Sequence, residues 1–177
     1  MERVPPDKKE RRRLPLVVRK STEPKPRPPR SISNVRLLVA KMSINELEAV
    51  VMLDSGSTTD ALSPEFARVA NLKIYALTEP VTVRLGTRGS RSSIVYGTDA
   101  LVRYESINDR HYFDIVNVDK YDAIIGLVFM RRFGIVLDPV TDRVIVNGSS
   151  YPTLSEREER EAIVHRYAMT QAKPTTE

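Results

Sequence analysis

The stretch "VVMLDSGSTTDALS", residues 50–63, decides the reading of this chain. Four apolar residues, Val50, Val51, Met52 and Leu53, run directly into Asp54. An apolar run of this length reads as a buried strand. An unpaired buried charge is costly, so a carboxylate at the end of such a strand needs partners. Gly56 permits a tight turn that brings backbone N–H groups to the carboxylate, and Ser55 and Ser57 add hydroxyl donors. Hydrogen bonds to the charged form hold a carboxylate ionised. One carboxylate can act as a base. Attack of water on a peptide carbonyl works better with two, which share one proton because both cannot ionise in contact. The tripeptide alone also fits an ordinary turn, and "DSGSTT" looks like an imperfect phospho-serine recognition motif.

Outward from this stretch the pattern is of short strands. "NVRLLVAKM" (34–42) and "LEAVVML" (47–53) read as strands separated by the turn-like "SIN". "SPEFARVANL" (63–72) reads as a short helix, with Ser63 as N-cap and Pro64 as first residue. "VTVRL" (81–85), then "RSSIVYG" and "DALVRY", predict strands around the glycine-bearing turn "GTRGS", a hairpin with an exposed tip. "YFDIVNV" (112–118) is a further strand. "YDAIIGLVFMRRFGIVLD" (121–138) reads as strand, glycine, short amphipathic helix and strand, and "DRVIVNG" (142–148) adds one more. Many short strands with one or two short helices predict a small all-β, barrel-like domain.

The flanks differ in composition. Residues 1–36 hold 12 Lys/Arg against 4 Asp/Glu, a net +8 within a chain whose formal charge is +5. Seven of the twelve prolines also fall in the first 31 residues, in stretches such as "EPKPRPPR". This composition cannot bury a core, so residues 1–33 are expected to be a disordered basic arm. It reads as a solvated linker or as a weak nucleic-acid-binding arm, although no aromatic residue interleaves the basic ones. Residues 34–148 form the expected domain, and 149–177 a charged C-terminal helix and tail. In that tail Ser155 and Glu158 have capping-box spacing, and the mostly charged face predicts a solvated appendage or linker, with a partner-docking helix as the alternative.

Composition narrows the function classes. The chain has no cysteine and only two distant histidines, His111 and His165, so neither a disulfide framework nor a metal site is expected, and no cofactor. No apolar run approaches the roughly 20 residues of a membrane span. The charged, proline-rich start lacks the apolar stretch of a signal peptide, so an intracellular, cytoplasmic location is expected.

Asp-Ser-Gly after an apolar strand, then a hairpin, then "DAIIG" about 70 residues on, together resemble the retropepsin family of aspartic proteases. The resemblance is strongest to the protease segment of gypsy-type LTR retrotransposon polyproteins, especially fungal ones. It covers roughly residues 34–148 and includes stretches similar to "GSRSSIVYG", "HYFDIVNVDKYDAIIG" and "FMRRFGIVLDP" in the same order. The resemblance implies a closed acid-protease barrel and an aspartic endopeptidase that cuts peptides or a polyprotein. Asp54 would be catalytic. Ser55 would bond across a subunit interface beneath the site, and the backbone of Gly56 would line the cleft. Ser57 stands where many relatives have alanine, and its hydroxyl is expected to bond the catalytic carboxylate. Ile124, Ile125 and Gly126 match the motif that packs behind the aspartate loop. Gly86, Thr87, Arg88, Gly89 and Ser90 match the flap by position only. Arg88 and Arg91 put an apolar substrate preference in question. One Asp-Ser-Gly in a domain of about 115 residues implies a symmetric homodimer that supplies the second aspartate. The alternative is a silent or domesticated module with the same fold.

Overall fold

The computed structural model describes residues 26–28, 35–84 and 91–171. The chain divides into two units, Met1–Val35 and Arg36–Glu177. In the first, residues 26–28 and Val35 are described and carry neither helix nor strand. The flap positions, residues 86–90, lie outside the described residues, as does most of the basic arm.

The second unit is mostly β, as expected. β1 (Leu38–Ile44) and β2 (Leu47–Leu53) form an antiparallel hairpin. Its turn is Asn45-Glu46, both at positive φ, the left-handed pair that matches the twist of a two-residue hairpin. Of "SIN" only Asn45 lies in the turn, and β1 runs two residues further than expected, to Ile44.

A two-residue strand β3 (Ala61–Leu62) leads into α1 (Pro64–Val69). Ser63 caps this helix as expected, its Oγ accepting from Phe66 N–H at 3.1 Å. β4 (Tyr75–Arg84), β5 (Arg91–Tyr104) and β6 (Ile107–Ile115) make an antiparallel meander. The two strands expected over 91–104 are one, because Gly97 and Thr98 are paired with β6 without a break.

β7 (Ala123–Ile125), α2 (Leu127–Phe133) and β8 (Ile135–Asp138) follow in the expected order. Gly134 ends α2 at φ 63°, a left-handed C-cap that glycine adopts without a Cβ penalty. β9 (Arg143–Val146) and β10 (Ser149–Pro152) complete a three-stranded sheet with β8. β10 lies beyond the strands expected from the sequence, past residue 148.

The larger sheet has the order β1-β2-β7-β3-β6-β5-β4, and a second pairing of β1, Ser43 with Arg103 and Ile44 with Val102, brings it back to β5. One core cluster gathers Leu38, Val51, Leu53, Leu62, Phe66, Phe113, Ile125 and Phe129.

The C-terminal helix α3 (Glu156–Gln171) corrects the expectation of a solvated appendage. The capping box forms as expected, with Ser155 N–H donating to Glu158 Oε2 at 2.8 Å. But Glu159, Ala162 and Arg166 are buried. Ala162 joins Val39, Val50 and Tyr121 in a second apolar cluster. Glu159 accepts from Lys120 Nζ at 2.6 Å and from the Tyr121 hydroxyl at 2.9 Å. Arg166 Nε donates to both oxygens of Asp122 at 3.0 and 2.9 Å, and its guanidinium lies over the Phe66 ring. Burial raises the Asp122 carboxyl, while Val50 N–H and Arg166 oppose that shift. These contacts escape a helical-wheel reading because the three buried positions among the described residues of α3 are themselves charged or small.

Removing one partner of a buried ion pair leaves an uncompensated charge. Arg166→Met is therefore expected to destabilise the protein by about 3 kcal/mol, read by chemical denaturation. Unchanged stability would show that α3 does not hold the domain.

Candidate active site

Asp54 is the first residue after β2, at the mouth of the sheet where β2 runs parallel to β7. Its N–H donates to the Ile125 carbonyl at 2.9 Å, which ties the strand end to β7. Its side chain turns back on the loop, and Oδ1 accepts from Gly56 N–H at 2.8 Å. The carboxylate is half-buried. The donor predicted from the Asp-Ser-Gly turn is therefore the glycine amide. Ser55 and Gly56 are exposed on the loop tip.

Ser57 departs from expectation. Its hydroxyl donates to the Thr59 carbonyl at 2.7 Å and accepts from Thr59 N–H at 3.3 Å, so it braces the loop and does not bond Asp54. Ser57→Ala is accordingly expected to leave the pH–rate profile in place. A shifted acidic limb would show that the hydroxyl reaches Asp54 during turnover.

The loop is fastened to the start of α2. Leu127 N–H donates to the Ser57 carbonyl at 2.9 Å. Gly126, the N-cap of α2, has no side chain to satisfy the helix end. Asp60 does this from the loop: Oδ1 accepts from Gly126 N–H at 2.7 Å, and Oδ2 from Phe129 N–H at 3.1 Å. One carboxylate thus serves the N-cap and the third helical amide, both orphans of a helix N-terminus.

Gly126 is required by space: a Cβ there would stand 2.5 Å from the Thr59 carbonyl oxygen and 2.6 Å from that of Ser57. This is the physical content of the Ile124-Ile125-Gly126 motif. Ile125 is fully buried in the core, and Ile124 faces the cleft. Asp60 was missed in the sequence because the amides it caps lie 66 and 69 residues away.

A cleft of about 330 Å³ opens on Asp54. Ala61, Val83, Ile94, Val116 and Ile124 give it apolar walls, and Ser57, Thr58, Thr59 and Ser92 supply hydroxyls. Among the described residues lining it, Asp54 carries the one charge. Arg91 is exposed and is not among those residues; Arg88 lies outside the described residues. No group of three or more His, Cys, Asp or Glu among the described residues could hold a metal ion. No helix among them is long and apolar enough to cross a membrane.

An Asp-Ser-Gly loop set between two parallel strands and capped onto a helix defines a retropepsin-like aspartic protease domain. The profile of the retroviral aspartyl protease family matches residues 30–151, and the chain belongs to that family. It is 26% identical over 137 residues to DNA damage-inducible protein 1 of Cryptococcus neoformans var. neoformans serotype D, in strains JEC21 and B-3501A. That match covers 73% of this chain and spans 30% of the length of those relatives. Among solved structures it is similar to the retroviral protease-like domain of Ddi1 from Leishmania major, with a TM-score of 0.54 and 19% identity, over 72% of this chain and 98% of that one.

Proposed function

We propose that this chain is an aspartic endopeptidase that acts as a homodimer, each copy supplying one Asp54. The observation that carries this reading is a single loop-held carboxylate, exposed to a peptide-sized cleft and bonded on one oxygen by Gly56 N–H. The other oxygen is left for chemistry. Retropepsin-like folds are generally dimeric, and a two-fold axis beside Ser55 and Gly56 would bring the two carboxylates together.

In that arrangement one Asp54 is ionised and its mate protonated, since two carboxylates in contact share a proton. The ionised member takes a proton from water as the oxygen attacks the peptide carbonyl. The protonated member donates to the carbonyl oxygen. Collapse of the tetrahedral species breaks the C–N bond, and a carboxyl proton passes to the amine. The net change is peptide plus water to acid plus amine.

The apolar walls favour an aliphatic or aromatic residue beside the scissile bond. The order of motifs supports processing of a retrotransposon polyprotein. The likeness to DNA damage-inducible protein 1 supports a second setting, a protease domain within a larger cellular protein. Both settings use the same site.

Purified full-length protein, incubated at acidic pH with a quenched-fluorescence peptide library, is expected to cleave at apolar pairs and to be blocked by a statine-type inhibitor. No cleavage, or cleavage insensitive to that inhibitor, would refute the reading.

A further inference from the structure

We propose that Asp60 and His111 are positioning residues that set the attitude of the Asp54 carboxylate through a buried clamp on the start of α2; this rests on the proteolytic reading above. His111, on β6, is 5% exposed, and its Nε2 lies 2.7 Å from Asp60 Oδ2. Its Nδ1 lies 3.2 Å from Arg132 Nη1. A guanidinium only donates, so Nδ1 accepts. The ring proton then stands on Nε2 and is donated to Asp60.

Arg132 is fixed in turn. It donates to the Arg110 carbonyl at 2.8 Å and to Asp109 Oδ2 at 2.7 Å. The imidazole is enclosed edge-on by Phe113 and Phe129, with ring centroids at 5.2 and 4.9 Å. A chain of directed bonds therefore runs from the exposed Arg132–Asp109 pair, through a buried ring, to the carboxylate that holds Gly126 and Phe129.

The link to Asp54 is the loop. Its ties to β7 and α2 are Asp54 N–H on Ile125, the Ser57 carbonyl on Leu127, and the Asp60 carboxylate on Gly126 and Phe129. The first two are backbone bonds. The third depends on a side-chain rotamer, and His111 fixes that rotamer by claiming Oδ2. If Asp60 turns, Gly126 and Phe129 lose their acceptor and the start of α2 is freed to shift; through Leu127 N–H on the Ser57 carbonyl that shift reaches the loop segment where Gly56 orients Asp54. A displacement of about 1 Å at a reacting group costs roughly 100-fold in rate.

The test uses the full chain, its best library peptide, and a temperature well below melting. His111→Phe keeps a ring of similar shape and removes both bonds. It is expected to lower kcat by about 10- to 100-fold with little change in KM. His111→Gln carries a donor for Asp60 and an acceptor for Arg132, and is expected to restore most of kcat. A role in stability alone would lower the melting temperature and leave kcat untouched. Wild-type kcat in folded His111→Phe, or a loss that glutamine does not restore, would overturn the proposal.

Amide hydrogen exchange at Gly126 and Phe129 reads the clamp without turnover. Faster exchange is expected in His111→Phe, and unchanged exchange overturns the clamp. This holds even if the wild type cleaves nothing, a result that would instead refute the proteolytic reading. Should His111→Phe fail to fold, Arg132→Met keeps the ring and its bond to Asp60 and removes the outer donor, together with the exposed bonds to Arg110 and Asp109. It is expected to speed exchange at the same two amides by a smaller factor, and no change there overturns the proposal.

Discussion

Asp54→Asn is expected to lower peptide hydrolysis by about 10⁴-fold, because the amide cannot take the proton from water. The fold is expected to survive. The asparagine oxygen can still accept from Gly56 N–H, and the site is half-buried at the end of β2, with the core packing elsewhere. Melting temperature and secondary structure should therefore match the wild type. Cleavage by the mutant at more than a trace, in a preparation free of other proteases, would remove Asp54 from the chemistry. A mutant that fails to fold would instead show that the carboxylate holds the loop together.

Gly126→Ala should have the second-largest effect, by a different route. The added Cβ would stand 2.5 and 2.6 Å from two backbone carbonyl oxygens, of Thr59 and Ser57. Backbone cannot swing away as a side-chain tip can. Either the catalytic loop moves or α2 does. Overpacking of this kind costs about 3 kcal/mol, and a shifted loop costs roughly 100-fold in rate. Both readouts should fall together in denaturant melts and in kcat. A stable, fully active Gly126→Ala protein would mean that the loop and α2 are not in the contact described.

The strand pattern was legible because its signals are local. Val50–Leu53 is apolar and continuous, Ser63-Pro64 has the chemistry of a helix start, and Gly126 interrupts an apolar run. The departures share a different character. Ser57 was expected to bond Asp54, yet a hydroxyl beside a tight turn finds the nearest free carbonyl, that of Thr59. The helix over 155–171 reads as solvated when residues are scored one at a time. Its Arg166 and Glu159 are buried because Asp122, Lys120 and Tyr121 wait for them some 40 positions back.

Asp60 and His111 were illegible for the same reason. Each looks like a loop or surface residue in its own window. Their meaning lies in pairing across 51 positions, which spacing in one sequence does not reveal. The turn at Asn45-Glu46 lacks the glycine that marks most such hairpins, so the pattern places the end of β1 two residues short.

The proposed site needs two copies of Asp54. Initial rate per mole of protein, followed over a dilution series beside sedimentation, reads that requirement. Dissociation on dilution follows mass action, so specific activity should fall as the dimer is lost. Adding excess Asp54→Asn protein at a fixed wild-type concentration should suppress activity further, through mixed dimers that hold one carboxylate. Constant specific activity in a protein that sediments as a monomer at every concentration would contradict the shared site.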